Sequence, residues 1–154
     1  MLIARFDGGC IPNPRGHASS ACFITRDGNE VFRQSKYLGF GEGMTNNVAE
    51  FEGVKMILQW YMRNGTNEPM RVIGDSQVVI WRMMGKYRKA VTGTCAQVAN
   101  ECLEIKSWLP WGAVTFEWQA RLNNDECDAM CDLEIEEAQN KHNLSREEVP
   151  YVEY

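Results

Sequence analysis

Short apolar runs bounded by polar and turn residues over 2–7, 20–26 and 30–38 read as three strands. Asp27-Gly28-Asn29 has the turn chemistry that joins the last two into a hairpin. Gly8 to Ser19, rich in Gly, Pro, Ser and Asn, reads as a loop. From Thr45 to about Arg63 the pattern turns helical, and Glu50, Val54, Ile57, Leu58 and Tyr61 fall at i, i+4, i+7, i+8 and i+11 on one stripe. Glu50 therefore heads a buried face. Asn64-Gly65-Thr66 ends this helix, Met70 to Ile73 forms a short strand, and a second helix runs from Gly74-Asp75 to about Met84, closed by Gly85. Further helices are predicted over 94–108 and from Asp125 to about Lys141, with a strand over 113–119 between them and a tail from Leu144 to Tyr154. Three strands, a helix, a strand, two helices, a strand and a helix predict an α/β fold in which helices cover a mixed sheet.

Composition adds bounds. At 154 residues the chain fits one domain, and 44% hydrophobic with 24% charged residues is ordinary for a globular protein. No apolar run approaches the roughly 20 residues of a membrane helix, and Met1 to Phe6 is too short for a targeting region. A cytoplasmic protein without a membrane partner is the expectation, and so are reduced thiols for the six cysteines. Cys95/Cys102 and Cys127/Cys131 have helix-face spacings with only His17 and His142 to complete a site, so no structural zinc is expected.

The net charge of −5 conceals an uneven distribution. Residues 125–154 hold ten acids against Lys141 and Arg146, a net of −8, which leaves 14 basic and 11 acidic side chains, a net of +3, on residues 1–124. A positive surface able to face a phosphate backbone is therefore compatible with an acidic chain.

Four segments place a carboxylate among small polar residues: Asp7 in Phe6-Asp7-Gly8-Gly9, Glu50 in Thr45-Asn46-Asn47-Val48-Ala49-Glu50, Asp75 in Gly74-Asp75-Ser76-Gln77, and Asp128 in Arg121-Leu122-Asn123-Asn124-Asp125-Glu126-Cys127-Asp128. Singly, such residues serve as turns or caps, and Asp75 in particular suits a helix N-cap. An unpaired charge at the top of the Glu50 stripe would be costly. Hydrolysis of a phosphodiester without a covalent intermediate calls for an activated water and a stabilised leaving oxygen. Two Mg²⁺ ions held by converging carboxylates supply both. Asp125, Asp128 and Asp132 share one helix face, so spacing alone does not choose among them.

The order and spacing of these segments resemble the type 1 ribonuclease H family over roughly residues 1–140. The resemblance implies a ribonuclease H-like five-stranded mixed sheet flanked by helices, with a ribonuclease H domain over 1–141 and a C-terminal tail over 142–154. It implies Asp7, Glu50, Asp75 and Asp128 as catalytic metal ligands for two Mg²⁺, with Mn²⁺ as the alternative ion. The last ligand is Asp128 because Arg121, Asn124, Cys127 and Asp128 fall on the family pattern Arg-x-x-Asn-x-x-small-Asp. Asp125 and Asp132 then become surface charges.

The implied partner is an RNA/DNA hybrid, and the implied activity is hydrolysis of its RNA strand by a monomer, leaving 5′-phosphate and 3′-hydroxyl ends. Recognition of 2′-hydroxyls in a shallow groove suits neutral donor–acceptor side chains. Asn13, Asn47 and Gln77 match groove-contacting family positions, Cys10 lies where the RNA strand would pass, and Thr45 with Asn46 matches a DNA-phosphate pocket. Arg121 and Asn124 complete the substrate-binding set, and Arg82, Lys86, Arg88 and Lys89, interleaved with Trp81 and Tyr87, suit phosphate contact. Two features depart from many bacterial members. Only Gly85 to Thr92 stands where they carry a basic helical protrusion, as in a compact archaeal-like branch, and Trp118 to Asn124 contains no His. Arg121 is a substitute for that His within the loop, and His142 one that would have to fold back from the tail. Action on double-stranded RNA or RNA–DNA junctions, or nucleic-acid binding without catalysis, are the alternatives.

Overall fold

A computed structural model describes residues 1–64, 67–86, 93–120 and 124–153, with the side chains of the last helix described as far as residue 143. Five strands, β1 (Leu2–Ile11), β2 (His17–Arg26), β3 (Asn29–Phe40), β4 (Met70–Gly74) and β5 (Val114–Trp118), form one mixed sheet in the order β3-β2-β1-β4-β5. β1, β2 and β3 pair antiparallel, while β4 is parallel to both β1 and β5. Four helices accompany them: α1 (Asn46–Arg63), α2 (Gln77–Met83), α3 (Gly93–Trp108) and α4 (Asp125–Glu153). The mixed sheet flanked by helices is the predicted α/β class.

Alternation along β2 explains the layers. Cys22 and Ile24 enter the main core with Leu2, Ala4 and Phe6 of β1 and with Phe51, Val54, Ile57 and Leu58 of α1, whereas Ala21 and Phe23 point the other way, onto Cys127, Cys131 and Met130 of α4. The α1 stripe of Val54, Ile57, Leu58 and Tyr61 is buried as its spacing predicts. Asp27 (φ 51°) and Gly28 (φ 86°) both lie in the left-handed region, as a two-residue hairpin turn requires.

The segment after Asp7 differs from its sequence reading. Gly8–Ile11 continue β1, pairing with His17–Ser20, so the loop shrinks to residues 12–16. Small residues serve packing here. A Cβ on Gly8 would lie 2.3 Å from the Ala49 carbonyl carbon and 2.4 Å from the Glu50 nitrogen, and one on Gly9 would meet Ile135 of α4 at 3.4 Å. Gly8 lets α1 come close to β1, while on the other side Gly9 faces α4 at an ordinary contact distance. Helix α4 also continues to Glu153, where the sequence pattern suggested an end near Lys141 followed by a tail. Among the described residues no helix is long and apolar enough to cross a membrane.

Candidate active site

The parallel pair β1–β4 and the first turns of α1 and α4 bring the carboxylates to one end of that strand pair. Asp7 sits within β1 and is only 4% exposed, its Oδ1 accepting the Gly8 N–H at 2.9 Å. Glu50, 7% exposed, comes down from α1 across the gap that Gly8 leaves open. Thr45 begins that helix by accepting the Val48 N–H at 3.1 Å. Asp75 follows β4 and is half-buried. Its possible duty as an N-cap falls instead to Ser76, whose Oγ accepts the Val79 N–H at 3.3 Å. Indole Nε1 of Trp118 donates to the Asp75 carbonyl at 2.9 Å, tying the end of β5 to the same turn.

One ligand atom from each of Asp7, Glu50 and Asp75 lies within 4.8 Å of the others. Asp128, in the first turn of α4 and half-buried, hydrogen-bonds the Asp7 side chain. Asp7 is thus the centre around which the other three stand, while Asp125 and Asp132 are exposed. Asp7, Gly8, Asn46, Glu50, Asp75 and Ser76 line a polar cavity of about 250 Å³. A larger groove of about 540 Å³ at the opposite end of β5, lined by Leu103, Leu109 and Trp111 among others, offers no carboxylate.

Burial, reinforced by the charge of Asp75, pushes the Asp7 carboxyl up to about 7. Burial, with the charges of Asp7 and Asp75, holds Glu50 well above the usual carboxylate range. Buried oxygens of like charge are unstable neighbours unless they share protons or a cation. Glu50 Oε2 is fully buried and accepts no hydrogen bond, so the protein leaves one oxygen of the cluster unsatisfied. A hard divalent cation fits this donor set, which is all oxygen and partly open to water.

Of the substrate-binding residues expected from sequence, Asn46 lines the cavity, and Cys10 and Asn13 hydrogen-bond to it. The Cys10 N–H donates to Asn46 Oδ1 at 2.8 Å, and the Asn46 N–H donates to Asn13 Oδ1 at 3.1 Å. This chain of hydrogen bonds links β1, the 12–16 turn and the start of α1. Asn13, Asn46, Asn47 and Gln77 are exposed, and the Cys10 thiol is buried, donating to the Pro12 carbonyl at 3.3 Å. Asn124 is 4% exposed and its Nδ2 donates to the Phe6 carbonyl at 2.6 Å, which makes it a joint between α4 and β1 rather than part of an open surface. Arg121, Tyr87, Arg88 and Lys89 lie outside the described residues. His142 packs on His17 and Phe40, away from the carboxylates. Sequence reasoning missed the Trp118 clamp and the Ser76 cap, because the first joins residues 43 positions apart and the second competes with an equally good cap beside it.

A family model described as reverse transcriptase-like matches residues 5–133. Among solved structures, LC11-RNase H1, isolated from compost by a metagenomic approach and solved in complex with an RNA/DNA hybrid, is 26% identical. The match covers 90% of this chain and 99% of that one, with a TM-score of 0.79. The N-terminal RNase H domain of a Mycobacterium tuberculosis protein, fused to maltose binding protein, is 22% identical over 92% of this chain and 97% of that one, with a TM-score of 0.80. RNase H1 from the halophilic archaeon Halobacterium salinarum is 21% identical over 88% and 98%, with a TM-score of 0.75.

Proposed function

Because this chain belongs to the reverse transcriptase-like family and shares its fold with type 1 ribonucleases H, we propose that it hydrolyses the RNA strand of RNA/DNA hybrids, using two divalent ions. The observation that carries this reading is the convergence of Asp7, Glu50 and Asp75, with Asp128 beside them, at one end of the β1–β4 pair. Divalent ions held there would supply a water of lowered pKa and charge stabilisation for the leaving oxygen. The chain's own residues do the rest. Asp7, Glu50, Asp75 and Asp128 would hold the ions, with Asp7 and Glu50 giving up the protons that burial favours. Asn13, Asn46, Asn47 and Gln77 present neutral donors and acceptors for 2′-hydroxyls along the groove, and Thr45 with Asn46 forms the phosphate pocket at the head of α1. Cys10 contributes its backbone, and Asn124 holds α4 against β1 so that Asp128 reaches Asp7. Arg121 and the 86–89 cluster are assigned to phosphate contact. The products carry 5′-phosphate and 3′-hydroxyl ends, and the enzyme works as a cytoplasmic monomer.

The test is cleavage of an end-labelled RNA/DNA hybrid by the full chain with Mg²⁺, Mn²⁺ or chelator, beside double-stranded RNA and DNA of the same sequence. Metal-dependent cutting confined to the RNA strand of the hybrid is expected. Cutting of double-stranded RNA would broaden the specificity, and metal-independent binding without cutting of any duplex would overturn the assignment. Asp7→Asn and Asp75→Asn should each lower the rate by roughly a hundredfold or more, in line with the several kcal/mol that a catalytic metal supplies. Asp125→Asn should leave it unchanged.

A further inference from the structure

We propose that His17 and His142 form a second, separate metal site, selective for a borderline divalent ion of the zinc or nickel kind, at the corner where α4 crosses the start of β2 and the end of β3. Their ring centroids are 5.6 Å apart with planes at 75°. A metal bound about 2.1 Å from an imidazole nitrogen lies roughly 3.2 Å from the ring centre, so two rings on one tetrahedral ion stand about 5.2 Å apart. The observed separation needs only a small opening of that angle.

The histidine on the sheet is prepared for such a ligand. His17 is 6% exposed, and one ring nitrogen, Nδ1, lies 2.8 Å from the Tyr37 hydroxyl. Burial keeps that hydroxyl in its neutral form. A ring that donates Nδ1–H to Tyr37 presents a bare Nε2, the tautomer in which metal-ligating histidines are held. Phe40 packs on both rings, at 4.5 Å from His17 and 5.3 Å from His142, and fixes their mutual tilt. Burial and the neighbouring His142 lower the pKa of His17, which keeps the imidazole neutral as a ligand must be.

The surroundings are suited to a cation. A cavity of about 240 Å³ opens beside the pair, lined also by Glu134, Glu137, Ala138 and Lys141. Glu134 is engaged by Ser35, whose hydroxyl donates to it at 2.7 Å, whereas Glu137 is exposed one turn before Lys141. Two imidazole nitrogens come from the protein, with water to complete the shell. Imidazole donors favour zinc, nickel and copper over magnesium, so the two sites divide ions by donor chemistry. Occupancy would fasten the far half of α4 to the β2–β3 corner. The sequence offered no pairing of these residues, since 125 positions separate them.

The experiment is titration of the full chain with Zn²⁺ by calorimetry and with Co²⁺ by absorption, in millimolar Mg²⁺ to saturate the carboxylates. Cys95→Ser serves as a control because Cys95 is the one cysteine that is not buried. Wild type and Cys95→Ser should bind one equivalent with nitrogen-ligand spectra. Tyr37→Phe should lose about tenfold in affinity, and His142→Ala, which removes an exposed side chain, should lose more. Binding by His142→Ala with wild-type affinity, or no uptake by wild type under Mg²⁺, would overturn the proposal. Both outcomes are independent of hybrid cleavage.

Discussion

Asp7 keeps a proton at pH values where a surface aspartate has long lost its own. The folded state raises its pKa from 3.8 to about 7, with burial as the largest cause, so the metal-free protein draws stability from the protonated form. That stability is present in full below about pH 4 and is lost as pH rises through about 7. In chelator, Asp7→Asn should therefore match the wild-type melting temperature at or below about pH 4 and exceed it by several degrees at pH 8. With Mg²⁺ at pH 8 the order should reverse, because only the wild type keeps the full ligand set. A wild type that is as stable as Asp7→Asn at pH 8 in chelator would show that the carboxylates do not strain one another. Glu50 was legible in the sequence for the same reason that it titrates abnormally: it sits at the top of an apolar helical stripe.

At the scale of elements, the order of strands and helices followed from local pattern and turn chemistry, and the exceptions have physical causes. Gly8 and Gly9 look like loop residues, yet both pair within β1, and at Gly8 the backbone of α1 approaches the strand too closely for a side chain. Gly8→Ala should destabilise the fold by about 3 kcal/mol, at the upper end of overpacking costs, since backbone atoms of α1 occupy the space of the new methyl. A falling urea midpoint would register this. Any protein that still folds should show weakened metal binding, because Glu50 moves with the helix. Contacts such as Asn124 to Phe6 and Trp118 to Asp75 could not be read from local pattern. They join residues 118 and 43 positions apart, and nothing in a local window encodes such a meeting.

For the molecule as a whole, charge is segregated along its length. The acidic excess belongs to α4, whose first turn stands at the carboxylate end and whose 29 residues lead about 43 Å away at the usual helical rise. Residues 1–124, with their net of +3, form the rest of the domain. On the proposed function, a net of +3 there supports only a modest number of phosphate contacts. KM for the hybrid should rise with salt at a log–log slope of about 3, with kcat nearly constant. A slope near zero would argue that phosphate contacts contribute nothing to binding.

The division of labour between Asp75 and Ser76 has a practical side. Since Ser76 starts α2, the neighbouring carboxylate can be neutralised without unwinding the helix or moving the Trp118 anchor, which grips only the backbone. Asp75→Asn would then be a silent reader of hybrids: a reagent that settles on RNA paired with DNA and leaves the strand whole.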